Sequence, residues 1–154
     1  MKNKKIKIII IISMIIIIID QFSKFLVSKF INNSVKIIPR ILEIEIIKNT
    51  GIAFGMNSGN IKNIFITILF LALIINFVKK QFKFIDKKTM FSLSLMFGGG
   101  ISNVIDRILR GGVLDFIKIS TFPIFNIADI SIVVGWILLI INIVKFTGDE
   151  EREK

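Results

Sequence analysis

The sequence predicts a polytopic α-helical membrane protein, with four transmembrane helices, a small extracytoplasmic β element and both termini cytoplasmic. Three observations carry that expectation. Of the 154 residues 53% are hydrophobic, the charged 21% sits in blocks, and long apolar runs are bordered by lysines. Residues 1–154 read as a single membrane-embedded domain. A net charge of +10 would suit nucleic acid on a soluble fold. Here the lysines flank apolar runs and form no basic patch with interleaved aromatics, so no nucleic-acid partner is expected. With no Cys and no His, the chain lacks disulfides, thiol nucleophiles, imidazole bases and most zinc sites. Its chemistry must come from carboxylates, hydroxyls, Lys or Arg.

The first span is expected over residues 6–27. Four lysines in residues 1–7 precede a nearly unbroken isoleucine run over 8–19. That run has the look of a leader's apolar core, but no small-residue cleavage site follows and residues 20–27 extend it, so an uncleaved helix is expected. Residues 28–60 are mixed. There Leu42, Ile44 and Ile46 alternate with Glu43 and Glu45, the period of a half-buried strand, and Pro39 separates them from an apolar run over 35–38. A small strand pair at the membrane surface is expected, ended by the glycines of NTGIAFG, residues 49–55.

Residues 61–78 form the second span, interrupted by Lys62, Asn63, Thr67 and Asn76. A loop with five lysines against one aspartate follows over 79–88. The third span, 89–109, has Gly98, Gly99 and Gly100 in its middle, where missing side chains let a neighbouring helix or a substrate come close. The fourth, 126–146, follows Pro123 and ends in a polar tail. The isoleucine and phenylalanine stripes read as lipid-facing bulk. The two lysine-rich segments hold nine lysines and are expected on the cytoplasmic side. That orientation gathers Asp20, Asn49, Asn103, Asp106, Arg107, Asp115 and Asp129 at the other face, and leaves only Asp86 and Asp149 of the six aspartates behind.

Ionisable groups at membrane depth mark functional sites. Asp115 and Asp129 form the leading candidate pair: two neighbouring carboxylates resist joint ionisation, so one serves as general base on water while the other acts as acid. Asp129 also sits where a carboxylate favours a helix start. Asn126, three residues earlier on the same face, either orients Asp129 or caps the helix, and the two roles are compatible. Asn103, Asp106 and Arg107 share another face. Arg107 pairs with Asp106 or with a carboxylate from elsewhere, and by spacing alone Asp106 competes with Asp115 as partner of Asp129. Asp20 and Lys24 stand i, i+4 apart. They read either as a snorkelling lysine with its counter-ion at the interface, or as a group that positions the outer loop or meets lipid phosphate. Asn49 and Gly51 read as a turn with an amide available to a substrate.

The ordered set DQFSK (20–24), NTGIAFG (49–55), GGGISNVIDR (98–107), VLDF (113–116) and FNIADI (125–130) resembles the conserved blocks of the lipoprotein, or type II, signal peptidases over nearly the whole chain. The resemblance implies an aspartic endopeptidase of the bacterial inner, or cytoplasmic, membrane. Such an enzyme removes the signal peptide from diacylglyceryl-modified prolipoproteins, cutting N-terminal to the lipidated cysteine. It implies Asp115 and Asp129 as the catalytic dyad, with Asp20, Lys24, Asn49, Gly51, Asn103, Asp106, Arg107 and Asn126 lining or supporting the site. No metal or other cofactor is expected; the partners are the prolipoprotein substrate and membrane lipid, and the protein is expected to be monomeric. It further implies a strand cradle in 28–60 with a short helix closing over substrate. Ser102 and Ile52 depart from the family's usual Gly and Ala and are expected to add bulk that narrows the site but touches no acid. The connection from Asp115 to Asp129 is short for the family. Two other classes compete. A small proton-coupled transporter would use the carboxylates as relays, but no inverted repeat is visible. In a non-enzymatic membrane assembly protein, the ion pairs would only lock helices together.

Overall fold

In the computed structural model, which describes residues 2–51, 60–81 and 86–152, a helix bundle carries a small sheet at one end. The described residues form α1 (Lys2–Phe30), β1 (Val35–Ile38), β2 (Leu42–Asn49), α2 (Asn60–Gln81), α3 (Lys87–Arg110), β3 (Val113–Ile119) and α4 (Ile127–Arg152). The expected spans 6–27, 61–78 and 89–109 lie within α1, α2 and α3, and 126–146 starts one residue before α4. Taken alone, the segment Lys4–Phe30 is long and apolar enough to cross a membrane, whereas Ile61–Asn76 and Ile127–Ile143 are shorter apolar runs. The short helix expected to close over substrate, and the Ile52 departure, lie outside the described residues.

Helix α3 is the centre of the bundle. Its three successive glycines turn by about 100° per residue, so each faces a different neighbour. A Cβ on Gly98 would come 2.8 Å from Ile16 Cβ and from the Ser13 carbonyl of α1, one on Gly99 would run into the Ala128 carbonyl of α4, and one on Gly100 would lie 3.0 Å from Leu71 of α2. Ser13 Oγ adds a hydrogen bond to the Ser94 carbonyl at 2.9 Å, across the α1–α3 contact. The glycine run thus serves helix packing on three sides.

The helix ends are defined by chemistry. Asp86 caps α3, accepting from Thr89 N at 2.8 Å, and Asn142 of α4 donates to the same carboxylate at 3.0 Å. At the other end Gly111 adopts φ +70° and stops the helix, a conformation glycine reaches without steric cost. The apolar core, Ile74, Met90, Leu93, Met96 and Leu139, lies towards that capped beginning of α3. The far end of the bundle holds the polar residues.

The sheet has three strands in the order β1-β2-β3, all antiparallel, so the expected pair gains a third member. A register shift between Ile44 and Ile47 inserts one extra residue into β2. Ile44 pairs with Ile117 before it, and Ile47 with Asp115 and Asn49 with Val113 after it. Without the insertion Lys48 would stand opposite Val113; the bulge brings Asn49 to that place, on the same face as Asp115. Beyond β3 the chain folds straight back. Phe116 N and Ile117 N donate to the Phe125 carbonyl at 3.0 and 2.8 Å, and Phe125 N returns a bond to Ile117 at 3.1 Å. That short return carries Asn126 to the side of Asp115 and accounts for the brief connection between the two aspartates.

Candidate active site

Four elements converge on the polar end of the bundle. Asp115 comes from β3, Asn49 from the end of β2, Asn103 from the last turns of α3, and Asn126 and Asp129 from the start of α4. Asp115 is 2% exposed, and its two carboxylate oxygens accept from different amides: Oδ1 from Asn126 Nδ2 at 2.6 Å, Oδ2 from Asn49 Nδ2 at 2.9 Å. Asp129 Oδ1 accepts from Asn103 Nδ2 at 2.8 Å. Asn126 Nδ2 also lies 3.3 Å from Asn103 Oδ1, so two asparagines bridge the two carboxylates in one chain of hydrogen bonds. The Asn49 amide, expected to be free for substrate, is given to Asp115. Its carbonyl accepts Gly51 N at 2.9 Å and forms the expected turn.

Burial pushes the Asp115 carboxyl up to about 6. The charge of Asp129 pushes the same way, and the amides of Asn49 and Asn126 and the charge of Lys24 counteract it. Arg107 NH1 and NH2 point at the carbonyl oxygens of Asn103 and Gly51, each at 3.4 Å, and its guanidinium is attracted electrostatically by Asp129 and Asp115.

Behind this pair lies a second, buried cluster. Lys24 Nζ sits 2.6 Å from Asp20 Oδ2 and 2.8 Å from Asp106 Oδ2, with all three side chains 0% exposed. The i, i+4 pair of α1 therefore exists, but the snorkelling reading is corrected: Lys24 turns inward because a second carboxylate waits on α3. Asp106 is corrected as well. Its partners are Lys24, Gln21 Nε2 at 2.9 Å, Arg110 NH1 and the backbone of β3. Those contacts engage it away from Asp129, and they leave Asp115 as the aspartate that shares the asparagine bridge.

Ser102 is also corrected. It does not line the cavity at the pair; its hydroxyl donates to Asp20 Oδ2 at 2.6 Å and accepts from Gln21 Nε2 at 3.0 Å. Gln21, Arg110 and Asn63 have site roles that sequence reasoning missed. Arg110 stands i, i+4 from Asp106, a readable signal. Gln21 is a polar neighbour of Asp20 inside an apolar helix. Asn63 is fully buried and donates to the Thr50 carbonyl at 2.8 Å, fastening the start of α2 to the segment after β2.

A cavity of about 560 Å³ opens at the pair. Asn49, Asn103, Arg107, Asp115 and Asp129 form its polar wall, while Phe122, Pro123, Ile130, Val133 and Val134 form an apolar one.

The fold, a helical bundle capped by a small sheet, thus sets an apolar cavity beside paired carboxylates. Two solved structures of bacterial membrane enzymes obtained by the in meso method share this architecture. One, at 2.3 Å resolution, superposes with a TM-score of 0.82 at 37% identity, covering 94% of this chain and 92% of the other. The second, at 1.9 Å, gives 0.77 at 38% identity, covering 91% and 94%. Residues 12–145 match the family described as "Signal peptidase (SPase) II". The lipoprotein signal peptidases of Staphylococcus aureus strains JH9 and Newman are each 37% identical over 152 residues, spanning 94% of this chain and 93% of theirs. The chain belongs to the signal peptidase II family.

Proposed function

We propose that this peptidase is an aspartic endopeptidase in which Asp115 and Asp129 activate water, and that it removes the signal peptide from diacylglyceryl-modified prolipoproteins N-terminal to the lipidated cysteine. The observation that carries this reading is the asparagine bridge: Asn126 and Asn103 link the two carboxylates while leaving both on the wall of one cavity.

Charge supports the same reading. Lys24 and Arg110 offset Asp20 and Asp106, and Arg107 offsets one carboxylate of the pair, so the cluster is electroneutral when Asp115 and Asp129 hold a single proton between them. The ionised carboxylate then takes a proton from water as the oxygen attacks the scissile carbonyl. The protonated one hydrogen-bonds the carbonyl oxygen and afterwards delivers its proton to the leaving nitrogen. The apolar wall around Val133 and Val134 suits acyl chains that stay among helices while the peptide reaches the pair.

In this reading all four helices cross the inner, or cytoplasmic, membrane, with both termini cytoplasmic and the sheet and site at the extracytoplasmic face. The 22 residues of α2 and 24 of α3 extend about 33 and 36 Å, enough for a hydrocarbon core about 30 Å thick. Apolar side chains such as Ile10, Ile18, Phe65, Leu69, Ile137 and Ile140 face outward. The serine- and glycine-rich α3 is largely covered by its neighbours.

The deciding experiment is cleavage of a diacylglyceryl prolipoprotein by purified wild type, Asp115→Asn, Asp129→Asn and Asp106→Asn, with thermal unfolding recorded for each. Folded but inactive proteins are expected for the first two variants, and a lowered unfolding temperature for Asp106→Asn. Cleavage by a folded Asp115→Asn or Asp129→Asn protein would overturn the dyad. Failure of the wild type to cut would overturn the substrate assignment.

A further inference from the structure

One buried ammonium reaches both arms that carry the aspartate pair. Each carboxylate bound to Lys24 also holds a piece of backbone. Asp20 Oδ1 accepts the N–H of Ala128 at 2.9 Å, the residue immediately before Asp129. Asp106 Oδ2 accepts the N–H of Leu114 at 3.0 Å, the residue immediately before Asp115. Two paths of the same construction therefore start at Lys24 Nζ, pass through one carboxylate each, and end one residue short of each aspartate. We propose that Lys24 is a positioning residue that fixes the separation of Asp115 and Asp129. This inference rests on their reading as the catalytic pair.

Neither backbone contact is needed to make its element. Helix α4 already has a local cap in Asn126, whose Oδ1 accepts Asp129 N at 2.9 Å. That cap fixes Asp129 relative to its own helix only, whereas Asp20 fixes the start of α4 relative to α1. Strand β3 is held along one side by β2 and is the last strand of the sheet. The Leu114 N–H turns to the other side and ties the strand to α3. A buried ion cluster is also poor evidence of stabilisation, because apolar replacements of similar volume often do as well. What charged hydrogen bonds supply and apolar packing does not is fixed direction and length.

A neutral belt runs beside the ammonium. Ser102 Oγ donates to Asp20 Oδ2 at 2.6 Å, Gln21 Nε2 lies 3.0 Å from Ser102 Oγ, and the same nitrogen reaches Asp106 Oδ1 at 2.9 Å. The belt joins the two carboxylates a second time.

The test is steady-state cleavage of a diacylglyceryl-cysteine signal peptide in detergent, with KM and kcat separated and folding followed by circular dichroism. Lys24→Met is expected to lower kcat by about 10²-fold, the scale of an ångström-sized misplacement, with KM within about twofold because the cavity wall is intact. The triple variant Asp20→Asn, Lys24→Met, Asp106→Asn leaves none of these three groups charged and carries the test if Lys24→Met does not fold; it is expected to show the same kcat loss. Ser102→Ala keeps the ion cluster and is expected to lose a smaller part of kcat at unchanged KM, and it decides if neither other variant folds. Wild-type kcat in a folded variant of Lys24, or in Ser102→Ala when it alone folds, overturns the proposal. So does a loss confined to KM. Asp115→Asn and Asp129→Asn run in parallel: if they cut, the dyad reading itself has failed, and if they are inactive while the Lys24 variants keep wild-type kcat, only the positioning role has.

Discussion

Asn126 and Asp129 cap each other. The Asn126 side-chain carbonyl accepts Asp129 N at 2.9 Å, and Asp129 Oδ2 accepts Asn126 N at 3.3 Å, the reciprocal box that closes a helix start. The same Asn126 amide serves Asp115 at 2.6 Å. One residue thus ends a loop, begins a helix and touches both members of the pair.

Asn126→Ala removes the side-chain contacts to Asp129 N and to Asp115 and keeps the bond from its backbone N–H to Asp129 Oδ2. Loss of the cap alone costs about 1 kcal/mol, and Asp115 loses one of its two amide donors, so both the unfolding temperature and kcat are expected to fall. Thermal unfolding and cleavage measured on the same preparation check this. An unchanged kcat would deny the amide any role in orienting Asp115.

The pH dependence of cleavage follows from Asp115, whose carboxyl lies at about 6. Beside the charge of Asp129, Asp115 takes up the single proton the pair needs, so activity declines as pH rises through that value. The Asn49 amide favours the charged form of Asp115, so Asn49→Ala is expected to move the alkaline limb of the profile to higher pH. A limb that stays in place would show that Asn49 does not govern this titration.

Stability follows the same direction. A carboxyl raised above its unfolded value of about 3.9 contributes stability that is fully present below that value and is lost as pH rises through about 6. Asp115→Asn lacks this loss. Its unfolding temperature relative to wild type is therefore expected to be more favourable at pH 8 than at pH 4, and a difference independent of pH would refute the argument.

Gly99 and Gly100 separate two kinds of close approach. A Cβ on Gly99 runs into the Ala128 carbonyl, backbone that cannot step aside, while one on Gly100 meets the end of Leu71 at 3.0 Å. Gly99→Ala is expected to destabilise by about 1–3 kcal/mol through overpacking, and to lower kcat by pushing the start of α4 away. Gly100→Ala is expected to be near neutral, since Leu71 can change rotamer. Equal effects in an unfolding assay would contradict this reading of the α3 contacts.

Much of this architecture was legible in the chain because apolar runs and charge blocks are local signals. The helices, the β2 alternation and the gathering of aspartates all came from neighbours in sequence. Strand β3 was missed because VLDFIKI, a short run closely followed by a turn and Pro123, is buried on both faces near Asp115 and so shows no clean alternation. The inward turn of Lys24 had no local signature either. Its spacing from Asp20 suits a surface pair as well as a buried one, and what decides is Asp106, which only tertiary packing brings near. Ser102 was misjudged for the same reason. A hydroxyl's volume can be read from sequence, but the carboxylate waiting for its proton cannot.

The glycine triplet has a consequence for the length of α3. Because Gly98, Gly99 and Gly100 key the helix to three neighbours at three azimuths, they set its rotational phase, and Asn103, Asp106 and Arg107 inherit that phase within about two turns. A single residue inserted between Gly100 and Asn103 would leave the keyed half seated and swing the polar half by about 100°, turning its carboxylate and amide away from Lys24 and Asp129. This stretch can therefore vary in side chain but not in residue count.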